Sequence, residues 1–222
     1  MKQLARPTAL PSLLSALDRA LASGPCALDR DVPSALWRRA LSGPAAEFLA
    51  RPGKELRGAI VRAGWLLGGG DPAGGYDRVA LVIELIHAGS LIVDDVEDGS
   101  LERRGAPALH ALVGAPLAIN TGSWMYFWAL SELSELALPL AAQSAAVRTL
   151  ARCHQGQALD LAVRVCELEP FDVRRVVATT TRLKTAGLCR LAAELGARAA
   201  GCDPDRCEVI GAFGEEDRKS VV

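Results

Sequence analysis

The 222-residue sequence predicts an all-α fold, a bundle of eight helices, on three observations. Apolar residues recur at the three-and-four spacing of amphipathic helices along most of the chain. Alternating β-branched runs joined by hairpin turn pairs are missing. Proline and glycine gather between the periodic stretches, as helix punctuation does.

Taken in order, the helices are expected near 8–22, 33–49, 54–68, 76–98, 106–136, 141–167, 171–199 and 204–213. The first is short, its leucines on one face and Gly24-Pro25 after it. Pro52-Gly53 parts the second from the third, and the run from Gly68 to Gly75 parts the third from the fourth. Gly105 to Pro107 precedes the fifth, Pro139 the sixth, Pro170 the seventh, and Gly201 to Pro204 the eighth. No internal repeat or low-complexity linker interrupts the series. The length and a 50% hydrophobic content suit one helical domain with a good core. In such a bundle, sites are built from side chains on facing helices.

Composition excludes some functions. A formal charge of −1 gives no basic surface for non-specific nucleic-acid binding. No apolar run reaches the length of a transmembrane helix, and prolines and charges break up the N-terminus, so no signal peptide is expected. Cys26, Cys153, Cys166, Cys189, Cys202 and Cys207 form no CxxC pair and are expected reduced, as in a cytoplasmic protein. Arginine is strongly preferred: of 25 cationic residues only Lys2, Lys54, Lys184 and Lys219 are lysines. Those lysines therefore merit attention.

The fourth helix carries the chemistry. From Leu81 to Val93 its only polar residues are Glu84, His87 and Ser90, and it then runs into Asp94, Asp95, Glu97 and Asp98. At 100° per residue, His87, Asp94 and Asp98 lie within about 20° of one line. Acids crowded at a helix C-terminus repel each other and oppose the dipole, so something must compensate. A solvated end or an ion-pair network is the plainer reading. A hard divalent cation such as Mg²⁺, which takes one or two carboxylates plus substrate phosphates, fits better. Arg103 and Arg104 follow at once, and guanidinium forks match phosphate oxygens as well as carboxylates. Elsewhere Lys54 and Arg57 share the start of a helix, where an anion is favoured. Lys184-Thr185 sits mid-helix, and Gln157 and Asp160 lie three apart on another. Each of these alone also reads as a solvated cation or a buried polar pair.

In this order the segments resemble the trans-polyprenyl diphosphate synthase family: GKxxR from Gly53, ELIHAGSLIVDDVEDGSLERRG, GQxxD through Gln157 and Asp160, and KTAGL from Lys184. The similarity covers roughly residues 45–213 and implies an isoprenoid-synthase-type bundle. It further implies a Mg²⁺-dependent prenyltransferase joining isopentenyl diphosphate to an allylic prenyl diphosphate, working as a homodimer. On the resemblance, Lys54, Arg57, His87 and Arg104 bind the isopentenyl diphosphate. Asp94 and Asp98, with Asp95 in support, hold the metal. Arg103, Lys184 and Thr185 grip the allylic diphosphate, and Gln157 belongs to the substrate site. Asp94, Asp95, Asp98, Arg103 and Lys184 form the catalytic set. Gly89 and Ser90, one turn before the acids, are small where short-chain members carry an aromatic ring. A product of twenty carbons or more is expected, with Trp124 or Phe127 as a possible floor to the chain-length pocket.

Gly211-Ala212-Phe213 resembles the start of the segment leading to the family's second aspartate-rich motif, after which the pattern stops. Asp217 to Val222 matches the translation of common sequencing-adapter DNA. The expectation is therefore one domain over 1–214 with a non-native tail over 215–222, incomplete at its C-terminus and weak or inactive as it stands. Two other readings are a non-catalytic fragment or regulatory subunit of a heteromeric synthase, and a class I terpene cyclase. GKxxR, His87 and Arg104 argue against the cyclase, which needs no isopentenyl diphosphate site.

Overall fold

The computed structural model describes residues 13–53 and 56–219. Lys54 and the start of the first expected helix lie outside them. The described residues form two compact units, one of residues 13–53 and 85–131, the other of 56–84 and 132–219.

In the first unit, α1 (Leu13–Ala22) buries Ala16, Leu17 and Ala20 on one stripe. Next come α2 (Ser34–Trp37) and α3 (Gly43–Leu49), joined by a π-helical turn over Arg38–Ser42. Pro44 lacks the N–H that would continue an α-helical ladder, which accounts for the wider turn before it. The later part of α5 (Asp77–Glu97) belongs here as well. A two-stranded hairpin follows, β1 (Glu102–Arg103) and β2 (Ala106–Pro107). Then come α6 (Leu109–Val113) and α7 (Ala115–Ser134). The sequence reading expects one helix over 106–136, and the structure corrects this. The hairpin takes its start, and Gly114 at φ 84 breaks the remainder. α5 and α7 cross at two glycines: a Cβ on Gly89 would stand 2.7 Å from the Gly122 carbonyl oxygen, and one on Gly122 2.9 Å from that of Gly89. Phe48, Leu17, Ile86, Ile92, Leu109, Met125 and Trp128 fill the core.

In the second unit, α4 (Leu56–Leu67) packs on α10 (Gly187–Ala199), which also packs on α11 (Pro204–Lys219). Glycine again sets the crossing. A Cβ on Gly64 would strike the Ala193 carbonyl, and one on Gly196 the Val61 carbonyl. α8 (Leu140–Ala162), a short 3₁₀ turn at Val165–Glu167 and α9 (Pro170–Thr181) complete it. A π-helical turn over Arg182–Ala186 links α9 to α10, so the expected helix over 171–199 is continuous but widened in its middle. α11 runs six residues past the expected end at Phe213, to Lys219. The early part of α5 lies here, and its Glu84 carboxylate accepts a 3.0 Å bond from the Gly58 N–H in the first turn of α4. Glu84 thereby satisfies one of that helix's orphan donors.

All six cysteines are free thiols. Among the described residues, no helix is long and apolar enough to cross a membrane.

Candidate active site

The acidic end of α5 closes with a glycine cap. Gly99 takes φ 63, its N–H bonds the Val96 carbonyl, and the Ser100 N–H bonds that of Asp95. This Schellman arrangement satisfies the last carbonyls and turns the chain back. Three residues later the hairpin begins, with Glu102 paired to Pro107 and Arg103 to Ala106. Its two-residue loop is Arg104-Gly105, with φ 56 and 76, a type I′ turn whose twist suits a tight hairpin. Glycine takes that backbone freely. For Arg104 it costs about 1–2 kcal/mol.

The turn brings Arg103 back onto the acids. Its Nε donates to Asp95 Oδ1 at 2.8 Å, its Nη2 donates to the same oxygen, and Nη2 stands 3.8 Å from Asp94 Oδ2. That hydrogen bond, reinforced by the charges of Asp95, Asp94 and Asp98, raises the Arg103 pKa above its ordinary value. Arg103 thus supplies part of the compensation that the crowded helix end requires.

The three aspartates sit differently. Asp95 is 0% exposed, Asp94 half-buried and Asp98 exposed. Of the expected stripe, His87 and Asp94 share half-burial, while Asp95 is the acid turned inward. Asp95 Oδ2 is buried without a hydrogen-bond partner. A buried carboxylate oxygen in that condition calls for a donor or a cation. Among the described residues no three His, Cys, Asp or Glu side chains converge as a complete metal cage. Mg²⁺ does not need one: it binds through one or two carboxylates and completes its shell with phosphate and water. Asp94 and Asp98, one helical turn apart with Asp95 held by Arg103 behind them, are the carboxylates that could serve in that mode.

Arg104 is seated by residues that sequence reasoning missed. Its guanidinium carbon lies 5.5 Å from the Phe48 ring centroid, and its Nη1 donates to the Arg51 carbonyl at 3.3 Å. Arg51 lies 5.5 Å from the same ring. Its Nη1 donates to the Arg103 carbonyl and its Nη2 to Glu47 Oε1, each at 3.3 Å. A Cβ on Gly53 would touch the Arg104 guanidinium at 3.4 Å, so the glycine of GKxxR adjoins the head group of RRG. A cation–π contact of this sort contributes about 0.5–2 kcal/mol, more when desolvated. Arg51 carries no sequence signal beyond standing before a proline, and the buried Phe48 none beyond its place on an apolar face.

Among the chain-length candidates, Gly89 is buried against α7, and Ser90 Oγ donates to the His87 carbonyl at 2.8 Å. Trp124 stacks on Trp128 at 5.3 Å between centroids, and Phe127 is 70% exposed. In the second unit, Lys184 Nζ binds Asp160 Oδ2 at 2.8 Å. Lys184 and Thr185 both lie in the π-helical turn, a local widening often found at functional positions. Gly156 lets α8 approach that turn, where a Cβ would meet the Lys184 backbone nitrogen at 2.8 Å. Gln157 is buried and Arg57 half-buried on α4.

An all-α fold with an Asp-Asp-x-x-Asp helix end clasped by an Arg-Arg-Gly hairpin defines the isoprenoid-synthase class. The sequence matches the polyprenyl synthetase family over residues 38–216, and the chain belongs to that family. It is 35% identical over 176 residues to geranylgeranyl pyrophosphate synthase dpasD of Apiospora sacchari, covering 78% of this chain and 51% of that protein. It is 38% identical over 154 residues to geranylgeranyl pyrophosphate synthase 2 of Zymoseptoria tritici, covering 68% and 45%. The chain thus spans about half the length of these curated relatives. Among solved structures, a geranylgeranyl pyrophosphate synthetase from Geoglobus acetivorans superposes with TM-score 0.72 at 25% identity, over 91% of this chain and 62% of that one. A decaprenyl diphosphate synthase from Rhodobacter capsulatus shares the fold, with TM-score 0.74 at 20% identity over 92% and 57%.

Proposed function

We propose that this chain carries the first aspartate-rich, diphosphate-binding half of a prenyl diphosphate synthase. The enzyme condenses isopentenyl diphosphate with an allylic prenyl diphosphate to a product of twenty carbons or more. The observation that carries the reading is the buried Asp95 clasped by Arg103 beside Asp94, with one carboxylate oxygen left unpartnered. Family membership and relatives named for a twenty-carbon product support it.

In this reading Asp94 and Asp98, with Asp95 behind them, would hold Mg²⁺, which would supply positive charge to a bound diphosphate. Arg103 orients the acids and contributes a fixed cation for the allylic diphosphate, with Lys184 and Thr185 as further grips. Arg104, His87, Lys54 and Arg57 take the isopentenyl diphosphate, and Gln157 lines the substrate site. The residues act by holding preorganised charge where negative charge develops. Residues 1–214 form the synthase domain, working as a cytoplasmic homodimer.

Titration calorimetry of the full chain with a non-hydrolysable allylic diphosphate, with and without Mg²⁺, tests this. Binding that requires Mg²⁺ and weakens at least about tenfold on replacing Asp94 and Asp98 together by Asn is the expected result. Metal-independent binding untouched by the double change would refute it. Incubation with labelled isopentenyl diphosphate and allylic primers then reads product length.

A further inference from the structure

We propose that Arg51 is a positioning residue for the diphosphate-binding hairpin, fixing the backbone of Arg103 and the head group of Arg104 together. The inference rests on the reading that these two arginines take substrate diphosphate. Arg51 is 8% exposed, so its guanidinium has been taken out of water. Its Nε is buried without a hydrogen-bond partner. An apolar side chain would fill the position without that desolvation cost.

Each remaining part of the guanidinium is committed to the hairpin or its support. Nη1 holds the Arg103 carbonyl, and Nη2 reaches Glu47. The planar face lies against Phe48, whose ring also receives Arg104. In return Arg104 Nη1 bonds the Arg51 carbonyl. The two guanidiniums thus share one aromatic ring, with Arg51 bonded to the Arg103 backbone and Arg104 to the Arg51 backbone. Arg103 and Arg104 sit on a hairpin of two-residue strands with a strained tip, too short to hold two long side chains in register by itself. Arg51 supplies the constraint from α3's side. Lysine cannot do this, since it has neither a flat face nor a fork of donors.

The test uses the full chain with Mg²⁺, isopentenyl diphosphate as titrant, and melting temperature recorded for every variant. Arg51→Leu is expected to weaken binding about 10–100-fold, the usual range for outer-shell support. Arg51→Lys should fail to restore it. Glu47→Gln, at a half-exposed side chain, should weaken binding a few-fold with an unchanged melt. The NMR signal of the Arg104 Nε–H, expected in the wild type at a ring-shifted position, should move to the random-coil position in Arg51→Leu. Full rescue by lysine would overturn the proposal, as would affinity lost only in proportion to unfolded protein. An unmoved Arg104 signal would overturn it alone. A wild-type chain that binds no isopentenyl diphosphate would instead bring down the parent reading, and this inference with it.

Discussion

Asp95 is the residue on which the site's geometry turns. Replacing it with Asn removes the carboxylate that anchors Arg103 and buries an amide in its place. Arg103 retains some access to water, its side chain being 27% exposed, so the cost is that of a lost charge-assisted hydrogen bond rather than of a stranded buried charge. A loss of about 1–3 kcal/mol is expected by urea unfolding. Lys184 offers the opposite case. Its bond to Asp160 joins two partly exposed groups, 29% and 49%, so Lys184→Ala should change stability by less than about 1 kcal/mol. Any large effect of that change on diphosphate binding would then report function. Burial pushes the Cys153 thiol up from 9.0 to about 11. At about pH 8 iodoacetamide should therefore modify the exposed Cys166 well before Cys153. The same shift carries a stability sign. Between 9.0 and about 11 the unfolded thiol ionises before the folded one, so Cys153's contribution is complete below that window and is lost as pH rises through it. Urea midpoints measured on either side of the window, compared with Cys153→Ala, would expose it.

Helix crossings are decided by single missing methyl groups. Gly64→Ala and Gly196→Ala each drive a Cβ into a backbone carbonyl of the partner helix, which has nowhere to go. Each should cost about 1–3 kcal/mol or more in thermal unfolding. Gly89→Ala meets the Gly122 carbonyl oxygen at 2.7 Å and should be destabilising by a similar mechanism. A glycine here serves the crossing whatever it does for chain length. The helices themselves were legible in the sequence because their apolar stripes and Gly/Pro punctuation are local signals. The hairpin was not: Glu102 to Pro107 has two-residue strands, too short to show alternation, and its turn rests on an arginine that no turn preference selects. The π-helical turns also escaped, since Arg182–Ala186 keeps helical periodicity and widens where Gly156 of α8 packs against it. In the site, the acid-rich helix end and its following arginines were readable from charge placed against the dipole. Which aspartate turns inward was not, because Asp94 and Asp95 differ only in what packs around them. Arg51 and Phe48 were invisible for a related reason: their partners lie some fifty residues away along the chain.

Over the whole molecule, apolar surface remains uncovered. Phe127 is 70% exposed in the first unit, and Phe171 and Phe213 are 74% and 66% exposed in the second. Isolated exposed leucines are ordinary, but large aromatic rings this open mark surfaces that associate. The purified chain is therefore expected to bind anilinonaphthalene sulfonate and to self-associate in sedimentation velocity. Phe127→Ser, Phe171→Ser and Phe213→Ser should each reduce this, and a monodisperse monomer without dye binding would contradict the expectation.

The tip of the hairpin sets stability against utility. A chain selected only to stay folded would place glycine or asparagine at position 104, where the backbone is left-handed. Arg104→Gly relieves that strain but also gives up the guanidinium's seat on Phe48. The two effects are of like size and opposite sign, so the variant should melt close to the wild type, and on the role proposed for Arg104 it should bind isopentenyl diphosphate more weakly. A library screened for heat resistance alone would pass such a change unnoticed, and with it a protein that keeps its shape and has lost its grip.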